Sequence, residues 1–160
     1  MQSEAENWIL RETGGILLGY WGESHRDIVI THCTGPGPGA HHGFNYFEAD
    51  NDFCQQELNR IFRDFFGYVS YLGDWHTHPW GSVSPSFPDF ETMKKVAADL
   101  EIGVHVPLLL IFRQRLLRKV SLGSFLMIED KFYRTSFHLI NSDDVLPYLH
   151  GICTDAVVSS

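Results

Sequence analysis

The sequence has 160 residues, of which 44% are hydrophobic and 20% are charged, a length and composition typical of one globular domain. The formal net charge of −8 at pH 7 argues against nucleic acid or an anionic membrane surface as a partner. No stretch approaches the roughly 20 consecutive apolar residues that a membrane-spanning helix needs.

The N-terminus and the cysteines together predict a cytoplasmic protein. Residues 1–12 are acidic overall and lack the basic segment and the cleavage site of a secretory signal peptide. Cys33, Cys54 and Cys153 are odd in number and widely spaced. This spacing predicts three reduced thiols rather than a disulfide framework or a thiolate zinc site.

The predicted elements alternate between strands and helices, which is typical of an α/β domain. In chain order they are a hairpin of strands over 14–21 and 27–33, a loop over 34–43, a helix over 50–66, a strand over 68–76, a helix over 88–100, strands over 106–112, 120–128 and 131–140, and a short helix over 145–152. The continuous apolar run at 106–112 is typical of a central strand that is covered on both faces.

Two histidines lie at the end of the strand over 68–76. His76 and His78 are two residues apart, so a strand would point both imidazoles to the same face. In α/β folds, the edge where strands give way to helices is where sites are usually built. We therefore expect the two rings to share a target, such as a metal ion.

Asp89 is the candidate for a third ligand, because a catalytic zinc ion typically takes three protein ligands and leaves a fourth position for water. The segment 79–88 contains three prolines and a glycine, which allow the chain to turn back and begin a helix near Asp89. A second interpretation stays open, since Ser86 followed three residues later by Asp89 also predicts an N-terminal helix cap. The two interpretations are compatible, because a cap can orient a ligand.

A zinc hydrolase also needs a general base that does not bind the metal. Glu12 is a candidate because it lies just before the strand over 14–21 and can reach a strand end near the site. Position alone does not distinguish it from the neighbouring acids Glu4, Glu6 and Glu23.

Other polar residues near the motif have weaker signals. Asp74 either accepts a hydrogen bond from a ligand imidazole or, as a simpler interpretation, is a solvent-facing strand residue. Thr77 lies between the two histidines, so its side chain should point away from a metal. His41 and His42 lie in the predicted loop, but adjacent histidines rarely converge on one ion.

Three segments resemble the JAMM motif of the JAB/MPN metalloprotease family: ETGGILLGYW at 12–21, YLGDWHTHP at 71–79 and SFPD at 86–89. That motif consists of an upstream glutamate, HxHP, a spacer of about the same length and SxxD. Every position of the motif is filled here. The resemblance covers roughly residues 8–130, and the segment 44–58 is most similar to the compact bacterial members.

The resemblance implies a role for each motif residue. It implies that His76, His78 and Asp89 are the Zn²⁺ ligands. It also implies that Glu12 is the general base that then protonates the leaving amine, and that Ser86 is the oxyanion donor. The implied fold is a curled mixed β-sheet flanked by helices, similar to that of cytidine deaminases, in a single JAB/MPN domain over residues 1–160.

Members of this family hydrolyse peptide or isopeptide bonds at the C-terminal tail of ubiquitin-like proteins, so the resemblance implies a zinc isopeptidase acting on such a tail or conjugate. Compact bacterial relatives accompany E1-like and E2-like enzymes, including those of antiviral operons, which makes such a system an expected partner. Two alternatives stay open: a non-catalytic MPN interaction scaffold, and a zinc peptidase acting on the tail of a sulfur-carrier protein. The intact ligand set argues against the scaffold.

Overall fold

The computed structural model describes residues 1–22, 27–114 and 120–139. Its helices are α1 (Gln2–Asn7), α2 (Asn51–Asp64) and α3 (Phe87–Ala98). Its strands are β1 (Gly14–Trp21), β2 (Ile28–Cys33), β3 (His41–His42), β4 (Phe47–Glu48), β5 (Ser70–Thr77), β6 (Leu108–Gln114), β7 (Val120–Ile128) and β8 (Lys131–Arg134). The helix predicted over 145–152 and Cys153 lie outside the described residues.

Six strands form one mixed sheet in the order β2-β1-β5-β6-β7-β8. Strands β5 and β6 pair in parallel, and the other neighbours in this sheet pair antiparallel. Helix α3 lies in the crossover between the two parallel strands, as parallel pairing requires a long connection. The prediction of a mixed sheet flanked by helices is confirmed, and the apolar run at 106–112 supplies one of its two central strands.

Buried apolar residues cover both faces of this sheet. Helices α2 and α3 pack on the same face of the sheet. Their buried residues contact strand residues whose side chains point to that one face. The N-terminal residue Met1 packs on the opposite face. The buried residues are Leu17, Leu72, Trp75, Leu108 and Leu110 on the Met1 face, and Leu18, Ile61, Val69, Met93, Leu109, Ile111, Phe125 and Met127 on the helix-covered face.

A bulge in β5 decides which of its residues face the helices. The register of β1 against β5 shifts by one residue at this point. Gly73 has a φ of +149°, and a Cβ there would lie 1.9 Å from the carbonyl oxygen of Leu108, so only glycine fits. The bulge interrupts the strand alternation, and as a result Tyr71 and Asp74 lie on the same side although they are three residues apart.

Several boundaries differ from the sequence predictions. Strand β8 ends at Arg134, so the strand predicted over 131–140 was too long. Thr135 still donates its backbone N–H to Ser124 of β7, and residues 136–139 have no regular secondary structure. Helix α1 was not predicted, and β3 lies inside the stretch predicted as a loop. Both are short elements whose stability comes from contacts with the rest of the protein rather than from local preference. Among the described residues, no helix is long and apolar enough to cross a membrane.

Candidate metal centre

The end of β5 directs two imidazoles at one point. His76 lies in the strand and His78 just beyond it, and their Nε2 atoms are 2.9 Å apart. Both side chains are largely enclosed, with 11% and 10% of their surface exposed. The backbone N–H of His78 donates to the carbonyl of Phe112 at 2.8 Å, which extends the parallel pairing past the strand end. The extended chain therefore continues through both histidines, and their rings lie on the same side of it, close to each other.

The first turn of α3 brings Asp89 to the same point. Its Oδ1 lies 3.2 Å from Nε2 of His76, and its Oδ2 lies 3.5 Å from Nε2 of His78. One donor atom from each of the three residues lies within 4.8 Å of the others. Two imidazole nitrogens and one carboxylate oxygen form a donor set that catalytic zinc accepts while keeping a fourth position open. The geometry and the chemistry of these residues therefore fit a metal ion.

The second ring nitrogen of His78 fixes the orientation of the ring. Nδ1 lies 2.9 Å from the carbonyl oxygen of Ser82. A carbonyl oxygen can only accept, so Nδ1 carries a proton and the lone pair of Nε2 faces the metal position. Burial lowers the pKa of His78, but its hydrogen bonds and the charges of Asp89 and Glu12 outweigh burial and raise the pKa above its ordinary 6.5.

Asp89 is ionised over the physiological pH range. Burial raises the pKa of its carboxyl group, but the close contacts with the imidazoles of His76 and His78 and the charge of His76 outweigh burial and hold the pKa far below its ordinary 3.8. A carboxylate that stays charged between two imidazoles attracts a cation to this point.

Ser86 and Asp89 form the predicted helix cap as well. The backbone N–H of Asp89 donates to Oγ of Ser86 at 3.3 Å, and the backbone N–H of Ser86 donates to Oδ2 of Asp89 at 2.6 Å, so the capping box is complete. The Ser86 hydroxyl also lies 2.7 Å from the same Oδ2. Both interpretations of the SxxD pattern are thus compatible with the structure, since the cap holds Asp89 in the rotamer that faces the histidines.

Glu12 lies in the same groove as the three converging residues. It is half-buried and two residues before β1, whose first residue Gly14 pairs with His76. Burial raises the pKa of Glu12 above its ordinary 4.5, which the charges of His78 and His76 partly offset. Of the other acids considered, Glu4 accepts a hydrogen bond from Trp8. Glu23 lies outside the described residues.

The groove around these residues has a volume of about 890 Å³. Phe44 and Tyr46 in the turn between β3 and β4 form one wall, and Trp80 lines it from the segment after the histidines. These three aromatic side chains are 63%, 59% and 64% exposed. Exposed aromatic residues beside buried polar groups are typical of a binding surface for another molecule.

Asp74 does not face solvent in the way that the simpler sequence interpretation suggested. It lines the groove, is half-buried, and accepts a hydrogen bond of 2.8 Å from the hydroxyl of Tyr71. Burial raises the pKa of Asp74 from its ordinary 3.8 to about 6, against the opposing effects of this hydrogen bond and the charge of His76. Local sequence carried no signal for the contact, because it depends on the bulge at Gly73.

The raised pKa of Asp74 predicts a pH-dependent gain in stability for D74N. The folded-state pKa of about 6 lies above the ordinary 3.8, so ionising Asp74 costs the folded protein free energy. The cost is absent below pH 3.8 and complete above pH 6. Asparagine still accepts the Tyr71 hydrogen bond but cannot ionise. We therefore expect D74N to raise the free energy of unfolding of the metal-free protein by about 1–3 kcal/mol at pH 8 and to have little effect at pH 4.

Urea unfolding at both pH values measures this difference. D27N is the matched control, since Asp27 is exposed just before β2. An equal effect of D74N at pH 4 and pH 8 would contradict the assignment of a raised pKa to Asp74.

Sequence comparisons identify relatives that are named as a metalloprotease or as isopeptidases. Residues 1–128 match the family described as prokaryotic homologs of the JAB domain. The probable metalloprotease y4qB of Sinorhizobium fredii is 31% identical over 112 residues, which cover 69% of this chain and 68% of that protein. A protein of Escherichia coli named CD-NTase/cGAS isopeptidase is 37% identical over 81 residues, covering 51% of each protein. One of Enterobacter hormaechei with the same name is 31% identical over 111 residues, covering 69% of this chain and 60% of that protein.

Solved structures show a likeness of fold. A protein of Desulfitobacterium hafniense has a TM-score of 0.65 at 20% identity, over 88% of this chain and 86% of that one. A protein of Salinibacter ruber has a TM-score of 0.51 at 17% identity, over 88% and 85%. With the family match over residues 1–128 and the relatives above 30% identity, the chain belongs to the family of prokaryotic JAB-domain homologues and is a JAMM-type hydrolase.

Proposed function

We propose that this protein is a zinc-dependent isopeptidase or protease that hydrolyses the bond after the C-terminal tail of a ubiquitin-like protein or its conjugate. The observation that carries the proposal is the convergence of His76, His78 and Asp89 in a groove that also contains Glu12. Relatives named metalloprotease and isopeptidase support a peptide or isopeptide bond as the target.

His76, His78 and Asp89 would hold the metal ion through Nε2, Nε2 and a carboxylate oxygen. Zinc suits this set, and when bound it lowers the pKa of a water molecule toward about 7 and polarises a carbonyl group. Asp89 contributes the negative charge that partly balances the ion, and the contact between His78 and Ser82 keeps one ring from turning away.

Glu12 would move the proton. In this role its carboxylate accepts a proton from the attacking water and then delivers it to the nitrogen of the leaving amine as the amide bond breaks. The raised pKa of Glu12 suits this role, because a carboxylate with a pKa closer to neutral takes the proton from water more readily and holds it until it passes to the leaving nitrogen.

Ser86 would stabilise the negative charge that develops on the carbonyl oxygen. Its side chain is exposed beside Asp89, at the mouth of the groove. The hydroxyl lies 2.7 Å from Asp89, and it would turn toward the substrate oxygen during the reaction. An oxyanion donor of this kind is worth about 2.7–4 kcal/mol in other hydrolases.

The surroundings of the groove support an extended protein tail as the substrate. Phe44, Tyr46 and Trp80 line the same groove as the ligand residues and expose flat apolar surfaces there. The two enterobacterial relatives named CD-NTase/cGAS isopeptidase support a conjugate, which we propose to be made by E1-like and E2-like enzymes in antiviral defence. A cytoplasmic location and a single domain over residues 1–160 remain predictions.

Zinc analysis followed by cleavage assays tests the proposal. The purified protein is expected to contain about one zinc ion per chain. It should cleave a ubiquitin-like protein from a reporter fused after its tail, or from a lysine joined to the tail by an isopeptide bond. A chelator should abolish cleavage, and added zinc should restore it.

Each failure has a distinct meaning in this assay. Protein that binds zinc and cleaves neither probe would favour the scaffold alternative. Cleavage of sulfur-carrier tails alone would favour the second alternative. A protein without stoichiometric zinc, or cleavage that persists in chelator, would overturn the proposed chemistry.

A further inference from the structure

We infer that His42 is a positioning residue that holds the backbone of Glu12, and through it the proposed general base, against the metal centre. The inference rests on the proposed role of Glu12. His42 lies in β3, within a stretch that the sequence marked only as a loop, and it is half-buried. His42 is not one of the three residues, His76, His78 and Asp89, whose donor atoms converge.

The hairpin of β3 and β4 binds both backbone polar groups of Glu12, its N–H and its carbonyl oxygen. The backbone N–H of Glu12 donates to the carbonyl of Gly43 at 2.8 Å. Nδ1 of His42 lies 3.0 Å from the carbonyl oxygen of Glu12. That oxygen can only accept, so Nδ1 of His42 carries the proton in this contact. Consecutive residues of one hairpin therefore bind both sides of the residue that carries the proposed base.

The His42 ring is itself held firmly. Trp8 stacks on one side, with ring centroids 3.6 Å apart and an angle of 7° between the planes. Phe47 of β4 packs against the same ring at 5.5 Å, in register with His42 across the hairpin. The Arg11 guanidinium also donates to the backbone carbonyl of His42 at 3.2 Å. A ring confined in this way aims its Nδ1–H in one direction, which is what a positioning role requires.

On the other side, the neighbouring residue is tied to the strand that carries the histidines. The backbone N–H of Thr13 donates to the hydroxyl of Thr77 at 3.0 Å, and the N–H of Thr77 donates to the carbonyl of Thr13 at 2.8 Å. Thr77 is buried, and its hydroxyl contacts the backbone of Thr13. Glu12 thus lies between a fixed strand and the hairpin, and His42 supplies one of the two hydrogen bonds on the hairpin side.

A pair of substitutions separates the hydrogen bond from the stacking. H42F keeps an aromatic ring between Trp8 and Phe47 but removes the donor. H42N loses the ring but places an amide N–H near the position of Nδ1. H41F is the matched control, because His41 is exposed and adjacent in β3.

H42F is expected to lower kcat for the tail-fused substrate by about tenfold to a hundredfold, because small misplacements of a catalytic group cost that much. KM and zinc content should stay at the wild-type level. H42N should recover most of the lost kcat, and H41F should behave as wild type. A purely structural role for His42 would instead lower the thermal midpoint, with H42N as damaging as H42F.

Amide hydrogen exchange of the zinc-free protein supplies a readout that does not depend on activity. The amide of Glu12 should exchange faster in H42F than in wild type, and H42N should restore its protection. Wild-type kcat and wild-type exchange in H42F would overturn the inference. The proposed function would still stand if E12Q were inactive in the same assay. If wild-type protein cleaved no probe, the proposed function would fail by itself. Wild-type exchange of the Glu12 amide in H42F would then also reject the positioning role of His42.

Discussion

Replacing Glu12 with glutamine is expected to lower kcat by about 10²–10⁴-fold, with the zinc content unchanged and the thermal midpoint no lower than that of wild type. Glutamine has nearly the same size as glutamate, but its amide cannot take a proton from water at neutral pH. Glu12 is not one of the converging donor residues, so its replacement leaves the ligand set intact. Steady-state kinetics on the tail-fused substrate and zinc analysis of the same preparation measure both quantities.

E101Q is the matched control for this experiment. Glu101 is exposed in the connection between α3 and β6, at the opposite end of the sheet from the metal centre, and the substitution removes the same charge. Wild-type turnover by zinc-loaded E12Q would reject Glu12 as the base. Loss of zinc from E12Q would instead assign Glu12 to the support of the metal site.

Replacing Asp89 with asparagine is expected to weaken zinc binding by more than about a hundredfold, which exceeds the usual cost of losing a residue that only supports a ligand. The amide is neutral and a poor metal ligand, but its oxygen can still accept the N–H of Ser86, so the start of α3 should stay folded. Activity should fall with zinc occupancy. Titration with a zinc-competing chelator measures the change in affinity.

S86A separates the cap from the metal ligand in that experiment. It removes the serine Oγ that caps the helix and should cost about 0.5–2 kcal/mol of stability. All three ligand residues remain, so zinc should stay bound while kcat falls by about 10²–10³-fold from the loss of the oxyanion donor. Zinc affinity in D89N equal to that of wild type, or an equal loss in S86A, would show that Asp89 acts only as a cap.

Much of the candidate site could be predicted because its signals are local. Two histidines separated by one residue in a regular strand lie on the same side. A serine followed by an acid three residues later favours a helix start with a defined cap geometry. These short-range rules bring His76, His78 and Asp89 together once the strand and the helix are adjacent. Glu12 carried no such local signal, and its choice among several acids depended on the family resemblance.

The surroundings of the site could not be predicted, because they depend on pairing between distant segments. The contact between Tyr71 and Asp74 exists because β5 bulges next to Gly73, which lies too close to Leu108 of β6 to carry a side chain. No rule of alternation places residues three apart on one side of a regular strand. The raised pKa of Asp74 therefore follows from a packing feature that sequence periodicity does not express.

By itself, the sequence predicted the main strands and helices, the convergence of His76, His78 and Asp89, and the helix cap, because hydrophobic periodicity and side-chain spacing act within one element. Only the tertiary structure decided what holds Glu12 in place. His42 and Gly43 lie about thirty residues from it along the chain. They contact it from a hairpin whose two strands, β3 and β4, are each two residues long. Such short strands have little stability of their own, so they form only when they pack against the rest of the folded protein.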